Sequence, residues 1–172
     1  MALKNKLGIT ESPTLAEAEE RISKKKAAEL FESGVLDTVA AGTFASLQVI
    51  HRYLFDEIYD FAGEIRTVNL SKGNFRFAPV MYLEAALQNI EKMPQTTFEE
   101  IVEKYVEMNI AHPFREGNGR TQRVFLTQLI HNAGYHINFA DMDTDLLMIA
   151  TIQSAQGITD LLKQLFSDNI KQ

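Results

Sequence analysis

The chain has 172 residues, with 17 Lys+Arg against 23 Asp+Glu, a formal net charge of -6 and no cysteine. The absence of cysteine excludes disulfides, thiolate metal sites and a cysteine nucleophile. The acidic balance argues against a general nucleic-acid or anionic-membrane surface, because both favour basic residues. No apolar run is long enough for a signal peptide, or for the ~20 residues that span a bilayer. Together with the length, these bounds predict one soluble, cytoplasmic domain covering residues 1–172.

Helical periodicity accounts for most of the chain. The first helix is predicted to begin at Ser12, a cap residue followed by Pro13, or two residues later if Thr14 and Glu17 form a capping box. Helices are predicted over about residues 12–33, 43–61, 79–93, 97–111 (behind a Thr97–Glu100 capping box), 119–132, 143–154 and 160–167.

Residues 66–78 are the one good strand candidate. Apolar residues alternate on both sides of Lys72-Gly73-Asn74, which is typical of a β-hairpin. Two strands alone are marginal in water, so the hairpin has to lie on a helical body. The predicted fold class is therefore all-α, a helical bundle with one small β-hairpin.

Candidate chemistry is concentrated in His112-Pro-Phe-Arg-Glu-Gly-Asn-Gly-Arg-Thr-Gln-Arg123. Gly117-Asn118-Gly119 lies between two predicted helices, so its backbone amides and the start of the next helix can form an anion site. Arg120 and Arg123 share a helix face, and each guanidinium can bind two phosphate oxygens. This spacing favours a phosphate ligand.

Two titratable residues accompany that loop. Glu116 would repel a phosphate unless a cation lay between them, and Mg²⁺ binds one or two carboxylates together with substrate phosphates. His112 has a reference pKa of about 6.5, which suits a general base near neutral pH. Pro113 and Phe114 are expected to fix the path of the loop. Each residue alone is more often structural, but their joint occurrence in this order indicates phosphate-directed transfer.

The segment resembles the signature of the Fic family, H-P-F-x-[D/E]-G-N-G-R-x-x-R, and matches every specified position. The resemblance extends upstream to Phe61-Ala-Gly-Glu-Ile-Arg66 and to Lys72-Gly-Asn-Phe-Arg-Phe-Ala-Pro79, which is similar to the family's target-docking flap. It implies a Fic-type helical bundle over nearly the whole chain. Most enzymes with this motif transfer AMP from ATP to a Ser, Thr or Tyr hydroxyl of a target protein and release pyrophosphate.

The resemblance also implies a role for each matching residue. His112 would deprotonate the target hydroxyl, and Glu116 would hold Mg²⁺ against the α- and β-phosphates. The remaining motif residues would bind the nucleotide: an anion hole from Gly117, Asn118 and Gly119, and β- and γ-phosphate contacts from Arg120 and Arg123.

Substrate choice depends on the flap and on one motif position. Gly119 favours AMP transfer over phosphate transfer, because family members acting as kinases have Lys there. Family relatives modify bacterial type II topoisomerase subunits, host small GTPases or themselves. The resemblance implies that the flap adds an extended target segment as a further strand, through Lys72, Gly73, Asn74, Phe75, Arg76 and Phe77.

Two other functions remain open. One keeps the fold but changes the chemistry, to de-AMPylation or to transfer from another nucleotide. The other is a non-catalytic helical module that binds a partner at the hairpin edge.

Many Fic proteins carry an inhibitory helix, [S/T]-x-x-x-E-[G/N], whose Glu pairs with the second motif arginine, here Arg123. Glu116 is the one Glu followed by Gly or Asn, and His112 stands four residues before it instead of Ser or Thr. We therefore expect the inhibitor to be a separate antitoxin-like protein, with this chain as the toxin of the pair, or to lie elsewhere in a longer chain. Secretion as an effector also remains open.

Residues outside the motif are assigned structural roles. His131 and His136 have a poor spacing for shared metal ligation, and His51 is likewise interpreted as surface or structural. The aspartates Asp141, Asp143 and Asp145 lack the Gly and terminal Glu of a calcium loop, so helix capping is expected of them.

Overall fold

The structure is a computed structural model that describes residues 1–139 and 142–171. Its helical content confirms the all-α class. In these ranges the elements in chain order are α1 (Ser12–Ser33), a 3₁₀ helix (Val35–Thr38), α2 (Phe44–Phe55), β1 (Ser71–Lys72), β2 (Phe75–Arg76), α3 (Val80–Glu91), α4 (Phe98–Ala111), α5 (Asn118–Asn132), β3 (His136–Ile137), α6 (Thr144–Ala155), α7 (Asp160–Asn169) and β4 (Ile170–Lys171). Across the same residues, no helix has the length and apolar character needed to cross a membrane.

Two predicted helix starts are confirmed by their side-chain caps. Thr97 Oγ1 accepts the Glu100 N–H, and Glu100 Oε1 accepts the Thr97 N–H, so the capping box opens α4. Asp143 Oδ1 accepts the N–H groups of Asp145 and Leu146 at the start of α6. The third aspartate of that cluster, at position 141, lies outside the described residues.

One predicted cap and one predicted helix end are wrong. The first helix covers the predicted residues, Ser12–Ser33, but it uses neither predicted cap: Glu11 is in the N-cap position and makes no side-chain cap bond. The second helix ends at Phe55 and does not reach Phe61. The apolar spacing continued past the helix end because Ile58 is fully buried and Phe61 is half-buried, but both residues lie in turns.

The predicted hairpin is present, and a second strand pair accompanies it. In the hairpin Ser71 pairs with Arg76 and Lys72 with Phe75, leaving Gly73-Asn74 as a two-residue turn whose first residue has φ +60°. The antiparallel pair β3–β4 was not predicted. Strands of two residues show no alternation, and their partners come from distant parts of the sequence, so local pattern carries no signal for them.

The described residues divide into two compact units. The first comprises Met1–Val68 and Pro113–Phe125, and packs α1 against α2. The second comprises Asn69–His112 and Leu126–Gln172, and packs α3 and α6 on α4, with α7 on α6. Each has its own buried apolar core, where each large side chain contributes roughly 1.5–3 kcal/mol: Leu30, Leu47, Ile50, Leu54 and Phe114 in the first, and Leu83, Val102, Tyr105, Leu162 and Phe166 in the second.

Candidate functional site

The loop that carries the motif is closed by the side chain of Asn118. Its Oδ1 accepts the Phe114 N–H at 2.8 Å, and its Nδ2 donates to the Phe114 carbonyl at 2.6 Å. One buried amide, 3% exposed at the first position of α5, therefore satisfies both backbone groups of one residue. The Asn118 side chain therefore shapes the loop, and its backbone N–H is the group expected to contribute to the predicted anion hole.

Gly117 precedes α5 at a position that admits only glycine. Its φ is +83°, in the left-handed region, and a Cβ there would lie 2.5 Å from ring atoms of Phe55. Its carbonyl accepts the Thr121 N–H at 3.3 Å and the Thr121 hydroxyl at 2.8 Å. The motif glycine is thus required by both its backbone conformation and the available space.

The two motif arginines lie on the first turns of α5, as predicted, and both are half-buried. Gly119, which lies between the loop and these two arginines in the chain, is exposed. A Cβ at this position would lie 3.4 Å from Nη1 of Arg123, so a side chain there would come into contact with that guanidinium. The first amides of α5 and the charges of Arg120 and Arg123 therefore share one helix end, an arrangement suited to anions.

A buried histidine on α2 supports this loop, although its sequence position suggested only a surface or structural role. His51 is 0% exposed; its Nδ1 accepts the Gly63 N–H at 2.8 Å, and its Nε2 lies 2.8 Å from the Glu116 carbonyl oxygen. Its ring stacks on Phe114 with 3.9 Å between centroids. Burial lowers the pKa of His51 to about 4. Its place in the apolar stripe of α2, beside Ile50 and Leu54, was the available sequence signal.

The segment from Phe61 to Arg66, singled out in the sequence, also holds the motif. The Arg66 N–H donates to the Pro113 carbonyl at 2.8 Å. The Arg66 side chain is 3% exposed, and its Nη1 donates to the Val68 carbonyl at 2.8 Å. Through Arg66 and the Gly63–His51 contact, this segment supports the motif at both Pro113 and Glu116.

A second carboxyl group, from α1, is affected by the charge of the motif acid. Burial and then the charge of Glu116 raise the pKa of Glu19 to about 7, while Tyr59 and Arg120 act in the opposite direction. Burial and the neighbouring Glu19 also raise the pKa of the Tyr59 hydroxyl. Near neutral pH Glu19 is therefore protonated part of the time, which reduces the negative charge around Glu116. The α1 sequence, rich in glutamates that look solvent-exposed, carried no signal for this role.

The second unit contains His112 and the flap. His112 ends α4 with φ 50° and ψ 63°, the one positive φ at a non-glycine among the described residues. Such a conformation costs roughly 1 kcal/mol, and strain of this kind concentrates at functional positions. The His112 ring stacks on Phe77 with 3.7 Å between centroids, and Phe77 meets the Phe75 ring edge to face at 5.2 Å.

The flap is anchored at its base and exposed at its tip. The Ala78 N–H donates to the Ile110 carbonyl of α4 at 3.0 Å, which supplies the helical support expected for a two-stranded sheet. The predicted docking residues divide by exposure: Lys72, Gly73, Asn74 and Arg76 are exposed, whereas Phe75 and Phe77 are half-buried. A two-stranded sheet with an exposed edge is suited to accept another strand.

Metal binding was expected at Glu116 alone. Within the described ranges, no group of three or more His, Asp or Glu side chains could hold a metal ion. Mg²⁺ takes only one or two carboxylates when substrate phosphates supply further ligands, so the half-buried Glu116 suits that mode of binding. The His131 and His136 rings lie edge to face at 4.9 Å despite their sequence spacing.

Comparison with known proteins agrees with this geometry. A model of the Fic/DOC family matches residues 43–130, just over half of the chain. The probable protein adenylyltransferase Fic of Salmonella typhimurium is 32% identical, over 99% of this chain and 88% of that protein. The protein adenylyltransferase VbhT of Bartonella schoenbuchensis is also 32% identical over 98% of this chain, which spans 37% of VbhT.

A solved structure extends the likeness to the fold. It is the N-terminal Fic domain of a putative cell filamentation protein from Bartonella quintana, with bound ADP. It matches with a TM-score of 0.79 at 25% identity, covering 98% of this chain and 90% of that one. By sequence motif, family model and fold, the chain belongs to the Fic/DOC family.

Proposed function

We propose that the chain is a protein adenylyltransferase, which transfers AMP from ATP to a Ser, Thr or Tyr hydroxyl of a target protein and releases pyrophosphate. The observation that carries this proposal is the glycine loop closed by Asn118, with two arginines on the helix that follows it. Relatives named protein adenylyltransferases, at 32% identity, support the reaction type. The ADP bound to a related Fic domain supports a nucleotide as the ligand.

In the proposed reaction His112 takes the proton of the target hydroxyl. The hydroxyl oxygen forms a bond to the α-phosphorus, and the bond to the oxygen bridging the α- and β-phosphates breaks, so pyrophosphate leaves with those electrons. Arg120 and Arg123 would hold the β- and γ-phosphates, and the loop amides of residues 117–119 would bind phosphate oxygens. Glu116 would hold Mg²⁺, which neutralises phosphate charge when bound.

The flap is proposed to position the target. An extended target segment would pair with the exposed hairpin edge, over Lys72 to Phe77, and present its hydroxyl to His112. We propose one Fic domain over residues 1–172, since the Salmonella relative covers 99% of the chain. Candidate targets are a type II topoisomerase subunit or the chain itself, and an antitoxin-like partner would supply the glutamate for Arg123.

The proposed reaction is tested by determining which phosphate of ATP is transferred to protein. The purified chain is incubated with bacterial lysate, Mg²⁺ and ATP labelled at either the α- or the γ-phosphate, with His112→Ala as the control. Protein labelled from the α-phosphate alone, and lost in His112→Ala, supports AMP transfer. Labelling from the γ-phosphate indicates phosphate transfer instead. Calorimetric binding of ATP·Mg²⁺ without any transfer indicates a binding module.

The regulatory part of the proposal has a separate test. Expression of the chain in a bacterial host should slow growth, and expression of His112→Ala should not. Equal growth of the two strains at equal protein level would contradict a toxin role but leave the transfer assay unaffected.

A further inference from the structure

The direction of one peptide group in the motif loop is set by a residue outside the motif. The Glu116 carbonyl oxygen lies 2.8 Å from Nε2 of His51. In a trans peptide the carbonyl and the following N–H point in opposite directions, so a carbonyl held toward His51 directs the Gly117 N–H away from it. That N–H donates to Oε1 of Glu116, with 3.4 Å between nitrogen and oxygen, so it faces the side chain of the motif acid, which is also the side of the proposed phosphate site.

The hydrogen bonds of His51 determine which ring nitrogen carries the proton. The Gly63 N–H donates to Nδ1 at 2.8 Å, so Nδ1 is the acceptor and the neutral ring has its proton on Nε2. Nε2 then donates to the Glu116 carbonyl. The opposite tautomer would place two N–H donors against each other at Gly63 and leave the carbonyl facing a lone pair.

The Gly63 side of this contact is itself firmly held. The Gln48 side chain donates to the Gly63 carbonyl at 3.0 Å. Gly63 has φ +84°, and a Cβ there would lie 2.8 Å from the Arg52 guanidinium. The donor to Nδ1 is therefore fixed in place, and with it the tautomer of His51.

The ring of His51 has little freedom to rotate. It stacks on the Phe114 ring, with 3.9 Å between the centroids and 12° between the planes, and its centroid lies 4.9 Å from that of the Phe55 ring. Rotation by 180° would replace both nitrogen contacts with ring carbons, and Phe55 also fills the space beside Gly117. Packing and hydrogen bonding thus select the same single orientation.

We propose that His51 is a positioning residue, whose Nε2–H holds the Glu116 carbonyl and thereby aims the Gly117 N–H toward a bound phosphate. The inference rests on the proposed function for the identity of the phosphate, as that of a nucleotide. The direction of the Gly117 N–H depends only on contacts among His51, Gly63 and Glu116.

Two near-isosteric variants separate this role from packing. His51→Gln keeps a side-chain donor near the position of Nε2, and His51→Asn keeps only an acceptor near the position of Nδ1. We expect His51→Asn to weaken AMPPNP·Mg²⁺ binding by about 10-fold, which corresponds to one well-placed hydrogen bond, and His51→Gln by less than about 3-fold. The exposed His136→Asn is the matched control, and thermal unfolding identifies variants that fail to fold.

Nuclear magnetic resonance gives a readout that does not depend on nucleotide. The ¹⁵N shifts of His51 should report a proton on Nε2 at pH 7, and the Gly117 amide resonance should move in His51→Asn but not in His51→Gln. A proton on Nδ1, or equal Gly117 shifts in both variants, would overturn the inference. Absence of AMPPNP binding by the unmodified chain would instead count against the proposed function, and the NMR result would still decide the role of His51.

Discussion

The imidazole of His112 lies flat against the ring of Phe77, with 3.7 Å between the centroids and 11° between the planes. The proposed base and the flap that would carry the target are therefore in direct contact within one unit. Because the stack contacts the face of the imidazole and not its edge, it can fix the orientation of the ring that takes the proton.

Replacing Phe77 should therefore slow transfer without weakening nucleotide binding. We expect Phe77→Ala to reduce the rate of labelling from α-labelled ATP by about 10-fold, because a misoriented base loses rate steeply, and Phe77→Tyr to retain most of it. Calorimetry should give an unchanged Kd for ATP·Mg²⁺. Phe75→Ala, which removes the edge contact with Phe77 but leaves the stack on His112, is the comparison variant. A rate for Phe77→Ala equal to that of the unmodified chain would show that the stack does not orient His112.

Substitution of Gly117 should destabilise the protein more than that of an unhindered glycine. Gly117→Ala is destabilised both by the positive φ and by the overlap with Phe55. Gly134→Ala, with φ 91° and no neighbour within 4 Å of the added Cβ, is destabilised by the positive φ alone. We expect about 1 kcal/mol for Gly134→Ala and about 3 kcal/mol for Gly117→Ala in urea unfolding. Equal losses would mean that Phe55 moves aside freely.

The buried His51 should make the protein less stable in mild acid. Its folded pKa, about 4, lies below the unfolded value near 6.5, so the unfolded state binds the extra proton between these limits. Stability is then lost as the pH falls from 6.5 toward 4, by at most about 3 kcal/mol. His51→Asn should lack this component. Parallel stability curves for the two proteins between pH 7 and 4.5 would refute the assignment.

Glu19 should change the stability of the protein with pH in the opposite direction. Its folded pKa, about 7, lies above its unfolded value, so the native state holds a proton that the unfolded state has released between pH 4.5 and 7. Stability falls as the pH rises through that window and stays reduced above it. Glu19→Gln should therefore be more stable than the unmodified chain at pH 8, by roughly 1–2 kcal/mol after solvent screening, and similar to it at pH 4.5. Glu20→Gln, at the exposed neighbouring position, should show no such difference.

The features of the fold and site that the sequence predicted correctly are those that depend on residues close together in the chain. The capping box of α4, the turn at Gly73-Asn74 and the order of residues in the motif all depend on neighbours within a few positions. His51 and Glu19 lie about 65 and 97 residues before Glu116, and no periodicity connects them to it. Their roles follow only from packing, which a pattern of single residues does not contain.

The end of α2 illustrates the same limit. The apolar spacing that carried the predicted helix to Phe61 reports burial, and Ile58 in that pattern is indeed fully buried. The same spacing does not determine backbone conformation: the Ile58 and Tyr59 N–H groups share the Phe55 carbonyl, an arrangement that is common at helix ends. Burial was thus predicted where conformation was not.

The packing of Phe55 against Gly117 has a consequence for attempts to redesign the loop. Shrinking Phe55 would clear space for a side chain at position 117, yet φ +83° would still penalise any L-residue there. A second substitution at Phe55 therefore cannot make an L-residue acceptable at position 117, because the positive φ is a property of the backbone alone. A D-alanine, introduced by chemical synthesis, would tolerate the dihedral angle and place its methyl group along the other Cα–H direction, not along the one that meets Phe55. The handedness of the residue is thus a design variable at position 117 as well as its size.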